Sequence, residues 1–174
     1  MKKIDMTDVQ EAGEFTRVPA GAYICKITAV QDFPEKEYLK VTYDIAKGQF
    51  AGYYEESRKD HPDWLWMGAY IKSYKPAAQP MFKRFCSAVS ASNAGYVFDA
   101  NINADEKTLV GKLIGLTFGD EEYYSNSGDK KTRLYVYKEF PIDQIAKQKT
   151  PKLKELQDEP EDTPMNLPDE LPFS

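Results

Sequence analysis

The stretch LVGKLIGLTFGD EEYYSNSGDKK TRLYVYK, residues 109–138, decides how this chain is read. Its first part, Leu109–Asp120, reads as a long strand. Gly111, Gly115 and Gly119 punctuate it, which suits bending or bulges. Glu121–Lys131 reads as a polar hairpin loop with a Ser127-Gly128-Asp129 turn. Thr132–Lys138 reads as the returning strand. Strict alternation puts Leu134 and Val136 on one side of it and Arg133, Tyr135 and Tyr137 on the other.

Upstream of this hairpin lies one main helix. Pro80 suits its first turn, and Met81, Phe82, Phe85 and Val89 recur at spacings of three and four, a stripe that packs on a core. Asn93-Ala94-Gly95 ends it. Residues 56–75 show no clean period. Before them, Tyr38–Ile45 alternates, with Leu39, Val41, Tyr43 and Ile45 facing one way and Tyr38, Lys40, Thr42 and Asp44 the other. Lys47-Gly48 predicts a turn and Gln49–Glu55 a paired return strand, with one of Tyr53 and Tyr54 pointing in and one out. The first strand is Ala22–Val30, entered from Arg17-Val18-Pro19-Ala20-Gly21 and broken by Asp32-Phe33-Pro34. A short helix is expected over Ile142–Lys149. The order is strand, two strands, helix, two strands. A mostly-β chain with that connectivity fits the OB-fold, a five-stranded Greek-key barrel. A different α+β sheet domain is the competing architecture.

Composition limits the function classes. A chain of 174 residues with 41% hydrophobic and 29% charged residues suits one folded domain alongside some unfolded chain. No run of about 18 apolar residues exists, and the N-terminus lacks a signal pattern, so a cytoplasmic location is expected. Cys25 and Cys86 are far apart and have no zinc spacing; they read as two free thiols. The single histidine, His61, sits beside Pro62 in a polar stretch and reads as a loop residue rather than a catalytic one. No phosphate-binding glycine motif is present. Glu55-Glu56 and Asp120-Glu121-Glu122 could in principle hold a nuclease metal, but solvated loops explain them. The expectation is a non-enzyme with no metal and no cofactor.

Charge is segregated. All 23 basic residues lie in 1–154 with 28 − 7 = 21 acids, so this part is +2 and the remainder is −7. The division expected is a binding domain over 1–150 and a disordered acidic tail over 151–174, in which Pro160, Pro164, Pro168 and Pro172 and like charges oppose folding. The tail closes on Leu171-Pro172-Phe173 directly after Asp169 and Glu170. An acidic peptide tipped with an apolar anchor suits a basic-rimmed pocket on a partner protein.

Twelve tyrosines exceed what the core needs. Arg133, Tyr135 and Tyr137 share a strand face, beside Tyr123, Tyr124, Lys130 and Lys131. Rings next to cations are what single-stranded nucleic acid requires: any base offers a face to stack on, and the cations neutralise phosphates. The same tyrosines could instead cover a sheet face against the leader or a partner subunit. A second group joins Tyr70, Lys72, Tyr74 and Lys75, expected at the surface, to Trp64 and Trp66, expected as core anchors. A third is Tyr38 with Lys40.

The terminal Asp169-Glu170-Leu171-Pro172-Phe173 resembles the C-terminal tip of bacterial single-stranded DNA-binding proteins. The body, from about Gly13 to Ile145, is similar to the divergent single-stranded DNA-binding proteins of phages and mobile elements of Gram-positive bacteria. The likeness is carried by Val18-Pro19-Ala20-Gly21, by Ser73-Tyr74-Lys75, and by the strand Leu109–Gly119 with its polar hairpin. It implies an OB-fold domain that binds single-stranded DNA without strong sequence preference and protects it during replication, recombination and repair. It also implies self-association, and a tip that recruits host or phage replication and recombination proteins. Ser174 follows the family's usual terminal Phe and displaces the carboxylate by about 3.3–3.6 Å, so deleting it is expected to strengthen docking. Removing 155–174 is expected to tighten DNA binding. The rival reading is a protein–protein adaptor of a phage or mobile-element recombination system with no direct nucleic-acid binding.

Overall fold

The computed structural model describes residues 1–7, 17–102 and 105–156. Five strands form one antiparallel sheet: β1 (Gly21–Phe33), β2 (Tyr38–Ile45), β3 (Ala69–Ser73), β4 (Leu113–Tyr124) and β5 (Lys130–Phe140). Their order is β3-β2-β1-β4-β5, so β1 is central and pairs with both β2 and β4. Two α-helices accompany them, α1 (Tyr53–Asp60) and α2 (Gln79–Ala91), and a 3-10 turn spans Ile142–Lys147 where a short helix is expected.

The long hairpin follows the alternation in its sequence. Phe118 of β4 pairs with Val136 of β5, and Asp120 with Leu134. The strands extend further than the polar composition suggests: Glu121–Tyr124 and Lys130–Lys131 belong to the ladder, and only 125–129 turn. Its start is later than expected, since Leu109 closes a 3-10 turn and pairing begins at Leu113. The register shifts between Thr117 and Phe118, leaving Tyr137 as the extra residue on β5. The β4 glycines make room for side chains. A Cβ on Gly115 would collide with the ring and carbonyl of Phe140, and one on Gly119 would lie 2.8 Å from both Pro151 and Tyr135.

Two expectations are overturned. Gln49–Glu55 is not a strand. A turn at Gly48–Gly52 leads into α1, whose exposed N–H groups are met by a carboxylate from β2. Asp44, itself buried, accepts from Tyr54 N (3.0 Å) and Glu55 N (3.3 Å), which caps the helix from outside its own chain segment. Helical geometry sends Tyr54 fully into the core, edge-on to Tyr43, while Tyr53 packs partly against it. The third strand is β3, inside the stretch that shows no period. Gly68 precedes it at φ 64°, where a Cβ would lie 2.6 Å from the Arg58 guanidinium, so only glycine fits. Arg58 in turn donates to the carbonyls of Tyr43 (3.2 Å) and Met67 (3.1 Å), tying α1 to the sheet.

α2 buries Phe82, Phe85 and Val89 of the predicted stripe, together with Ala88; Met81 departs from it and is exposed. Asn93 anchors the end of α2 to the start of β4: its amide donates to the carbonyls of Val89 (2.7 Å) and Leu113 (2.8 Å) and its oxygen accepts from Leu113 N (2.9 Å). The two ends of the sheet are drawn together through side chains. Buried Glu139 of β5 accepts from Tyr70 Oη (2.8 Å) and pairs with Lys72 Nζ (2.8 Å), both on β3, with Arg84 of α2 at 3.8 Å. Cys25 and Cys86 are free thiols. Among the described residues no helix is long and apolar enough to cross a membrane.

Candidate nucleic-acid interface

Alternation along β4 and β5 sorts the hairpin side chains into two faces. Tyr123 pairs with Lys131, Glu121 with Arg133 and Gly119 with Tyr135, so these share one face, opposite to core-packed Leu134 and Val136. Tyr137, released by the bulge, is 49% exposed and meets Tyr135 edge to face at 6.4 Å. The result is a strip of Tyr123, Lys131, Arg133, Tyr135 and Tyr137. From residue 131 to 137 it runs about 20 Å. Tyr124 and Lys130 were expected beside these residues but point to the other face of the hairpin, because Tyr124 pairs with Lys130 one step out of phase.

Within the strip the Arg133 guanidinium lies 4.6 Å from the centroid of the Tyr123 ring, and its Nε pairs with Glu121 (2.8 Å). Tyr135 covers Gly119. Partial burial, then Glu121 and its neighbours, raises its phenol above the ordinary range, so it stays a neutral ring at physiological pH.

One member escapes a reading by period. Beyond the 3-10 turn the chain returns along β4: Lys154 N donates to Asp120 O (2.9 Å) and Glu122 N donates to Lys154 O (2.9 Å). This brings Lys154 Nζ within 5.9 Å of the Tyr135 ring and Pro151 onto Gly119. Pro151 and Lys154, counted with the tail in the expected division, thus contact β4. The only sequence signal was a run of lysines over 147–154.

The second group does not assemble. Tyr70 and Lys72 were expected at the surface but point inward to Glu139, since they pair with core-facing Val41 and Leu39 of β2. Burial, followed by the adjacent Glu139, holds the Tyr70 phenol well above its ordinary range. Tyr74 donates to Asp32 Oδ1 (2.8 Å) and packs edge-on to Phe82; burial and then Asp32 push its phenol up to about 12. Lys75 is exposed at the head of the following 3-10 turn. Trp64, expected in the core, is half exposed and stacks on His61 at 3.6 Å.

The third pair is also engaged. Tyr38 is buried, its ring 5.0 Å from Phe33. Lys40 donates to Leu65 O (2.7 Å) and sits 4.6 Å over the Trp66 ring, and burial lowers its pKa. Asp169, Glu170, Leu171, Pro172 and Phe173 lie outside the described residues.

Among the described residues no three His, Cys, Asp or Glu side chains converge as a metal site. The strip instead offers aromatic faces interleaved with cations on a hydrogen-bonded ladder, a surface suited to stacking and to phosphate. No protein-family model matches the chain, and no curated protein matches it significantly.

Proposed function

We propose that this protein binds single-stranded DNA along the outer face of the β4–β5 hairpin, without strong sequence preference. The observation that carries the reading is the strip itself: Tyr123, Tyr135 and Tyr137 alternating with Lys131, Arg133 and Lys154 on one face. Stacking on each ring contributes roughly 1–3 kcal/mol per base and does not discriminate between bases. The strand order supports an OB barrel whose β3 and β5 meet through Glu139 instead of a backbone ladder. In this reading the acidic C-terminal residues recruit replication and recombination proteins, and the protein shields the strand rather than altering it.

Fluorescence anisotropy of a labelled deoxythymidine 35-mer tests the proposal against a duplex of equal length. Saturable binding of the single strand with a weak duplex response is the expected outcome. Equal affinity for both, or no saturable binding, contradicts it. In the second case the adaptor reading takes its place.

A further inference from the structure

We infer that the groove beside α2 receives the N-terminal arm, residues 1–6, of a second copy of this chain. A cavity of about 910 Å³ opens between α2, the β1–β2 turn end of the sheet, and residues 97–101 with Glu106. Its floor is apolar, for Leu39, Phe82 and Phe98 are all buried. On the α2 side the small residues Cys86, Ser87 and Ser90 leave room for an incoming side chain. The opposite wall is fixed in advance: Phe98 N donates to Ser90 Oγ (2.9 Å), which in turn donates to Cys86 O (2.7 Å). An occupant therefore does not have to order the groove before filling it.

Charge selects among apolar occupants. Asp32, Asp99 and Glu106 line the groove against one Lys83, a net of 1 − 3 = −2, and all three acids are half-buried. Carboxylates in such a setting favour a cation and repel phosphate. They repel the C-terminal tip as well, since Leu171-Pro172-Phe173 follows Asp169 and Glu170. The other end of the chain has the matching character. Residues 1–7 are all exposed, and Met1, Ile4 and Met6 alternate with or flank Lys2 and Lys3. Ile4, 66% exposed, is the apolar anchor for the floor, and the two lysines meet the carboxylates.

Geometry favours a neighbour's arm. The arm is rooted where Arg17 pairs with Asp120 and Val18 is buried, at the Gly21 end of β1. Asp32 stands at the other end of β1, about 36 Å of strand away. Ile4 is 13 residues from Arg17, at most about 43–47 Å of chain. Docking on its own domain would stretch the arm over most of that reach. A second copy's arm meets the groove without this restraint, and reciprocal docking closes a two-fold dimer.

Sedimentation velocity of the full chain at rising concentration tests the proposal. Wild type should pass from monomer to dimer. Lys2→Glu with Lys3→Glu should weaken association at least about tenfold, and so should Ile4→Asp. These changes lie in the exposed arm, so they report even if a groove variant folds poorly. Asp99→Lys with Glu106→Lys should weaken association to the same degree. Mixing the glutamate-arm variant with the lysine-groove variant should restore it, because each arm then faces a groove of opposite sign. Wild type that stays monomeric, arm variants that dimerise like wild type, or a mixture no tighter than its components each overturns the inference. None of these outcomes bears on the hairpin's affinity for DNA.

Discussion

At the scale of single residues, the chemistry of this chain is set by what burial does to groups that would otherwise react or ionise. The two thiols illustrate it. Cys86 is half-buried on α2, and desolvation pushes its thiol up to about 11; Cys25, deeper in the sheet, is raised further. A raised thiol pKa keeps the neutral form below it, so at pH 8 only about one Cys86 in a thousand is thiolate. Iodoacetamide should therefore alkylate both cysteines far more slowly than free cysteine at pH 8, with Cys86 accelerating as pH approaches 11. Alkylation of Cys86 at the free-cysteine rate at pH 8 would contradict this placement. The same logic covers the tyrosines. Tyr70 and Tyr74 spend their hydroxyls on Glu139 and Asp32, and those bonds, invisible to periodicity, remove them from the surface they were expected to occupy.

At the scale of elements, the capping of α1 from β2 is the contact most exposed to test. Asp44 accepts from three backbone N–H groups, those of Ile45, Tyr54 and Glu55. Asp44→Ala leaves them without that acceptor in a buried site, at a cost of about 2 kcal/mol. The melting temperature should fall by roughly 4–8 °C, and the amides of Tyr54 and Glu55 should exchange faster with solvent while those of β1 keep their order of protection. An unchanged melting temperature would show the cap to be dispensable.

This helix also marks where sequence reasoning stopped. Tyr38–Ile45 and Thr132–Lys138 alternate over seven or more positions, and the apolar faces read from them, Leu39, Val41, Tyr43 and Ile45 and Leu134 and Val136, pack on the core. α1 spans only eight residues and β3 only five, too few for either period to emerge. Adjacent Tyr53 and Tyr54 look like strand residues because aromatics favour strands. What makes them helical is the remote carboxylate of Asp44 and the left-handed Gly52 that precedes them. The outward face of β5 was legible for the same reason that β5 itself was: Arg133, Tyr135 and Tyr137 alternate with Leu134 and Val136. Lys154 was not, since only the long-range return of the chain onto β4 brings it to Tyr135.

At the scale of the whole molecule, the sheet's two ends are joined by one buried cluster. Glu139 carries the carboxylate, and Tyr70, Lys72 and Arg84 approach it from β3 and α2. Breaking such a cluster from one side leaves a buried charge without compensation, which typically costs about 3–5 kcal/mol. Glu139→Gln should therefore lower the melting temperature by roughly 6–20 °C. Adding Lys72→Met should recover part of the loss, because the second change removes the stranded ammonium. Equal melting temperatures for wild type and Glu139→Gln would mean that the ends of the sheet are held by packing alone. This closure could not be read from sequence: a glutamate near the end of a strand carries no sign of which lysine, 67 positions earlier, it will meet.

The central claim is that single-stranded DNA stacks on the hairpin's outer face. Tyr137 is the most direct point of attack. It is the bulge residue, its ring is half exposed, and it has little part in the core. The deciding measurement is the affinity of Tyr137→Ala for the labelled deoxythymidine 35-mer, taken beside its melting temperature. Loss of one stacked base predicts a fall of roughly 5- to 150-fold, from about 1–3 kcal/mol, with folding left near wild type. A variant that melts like wild type and binds the strand with wild-type affinity would contradict the account.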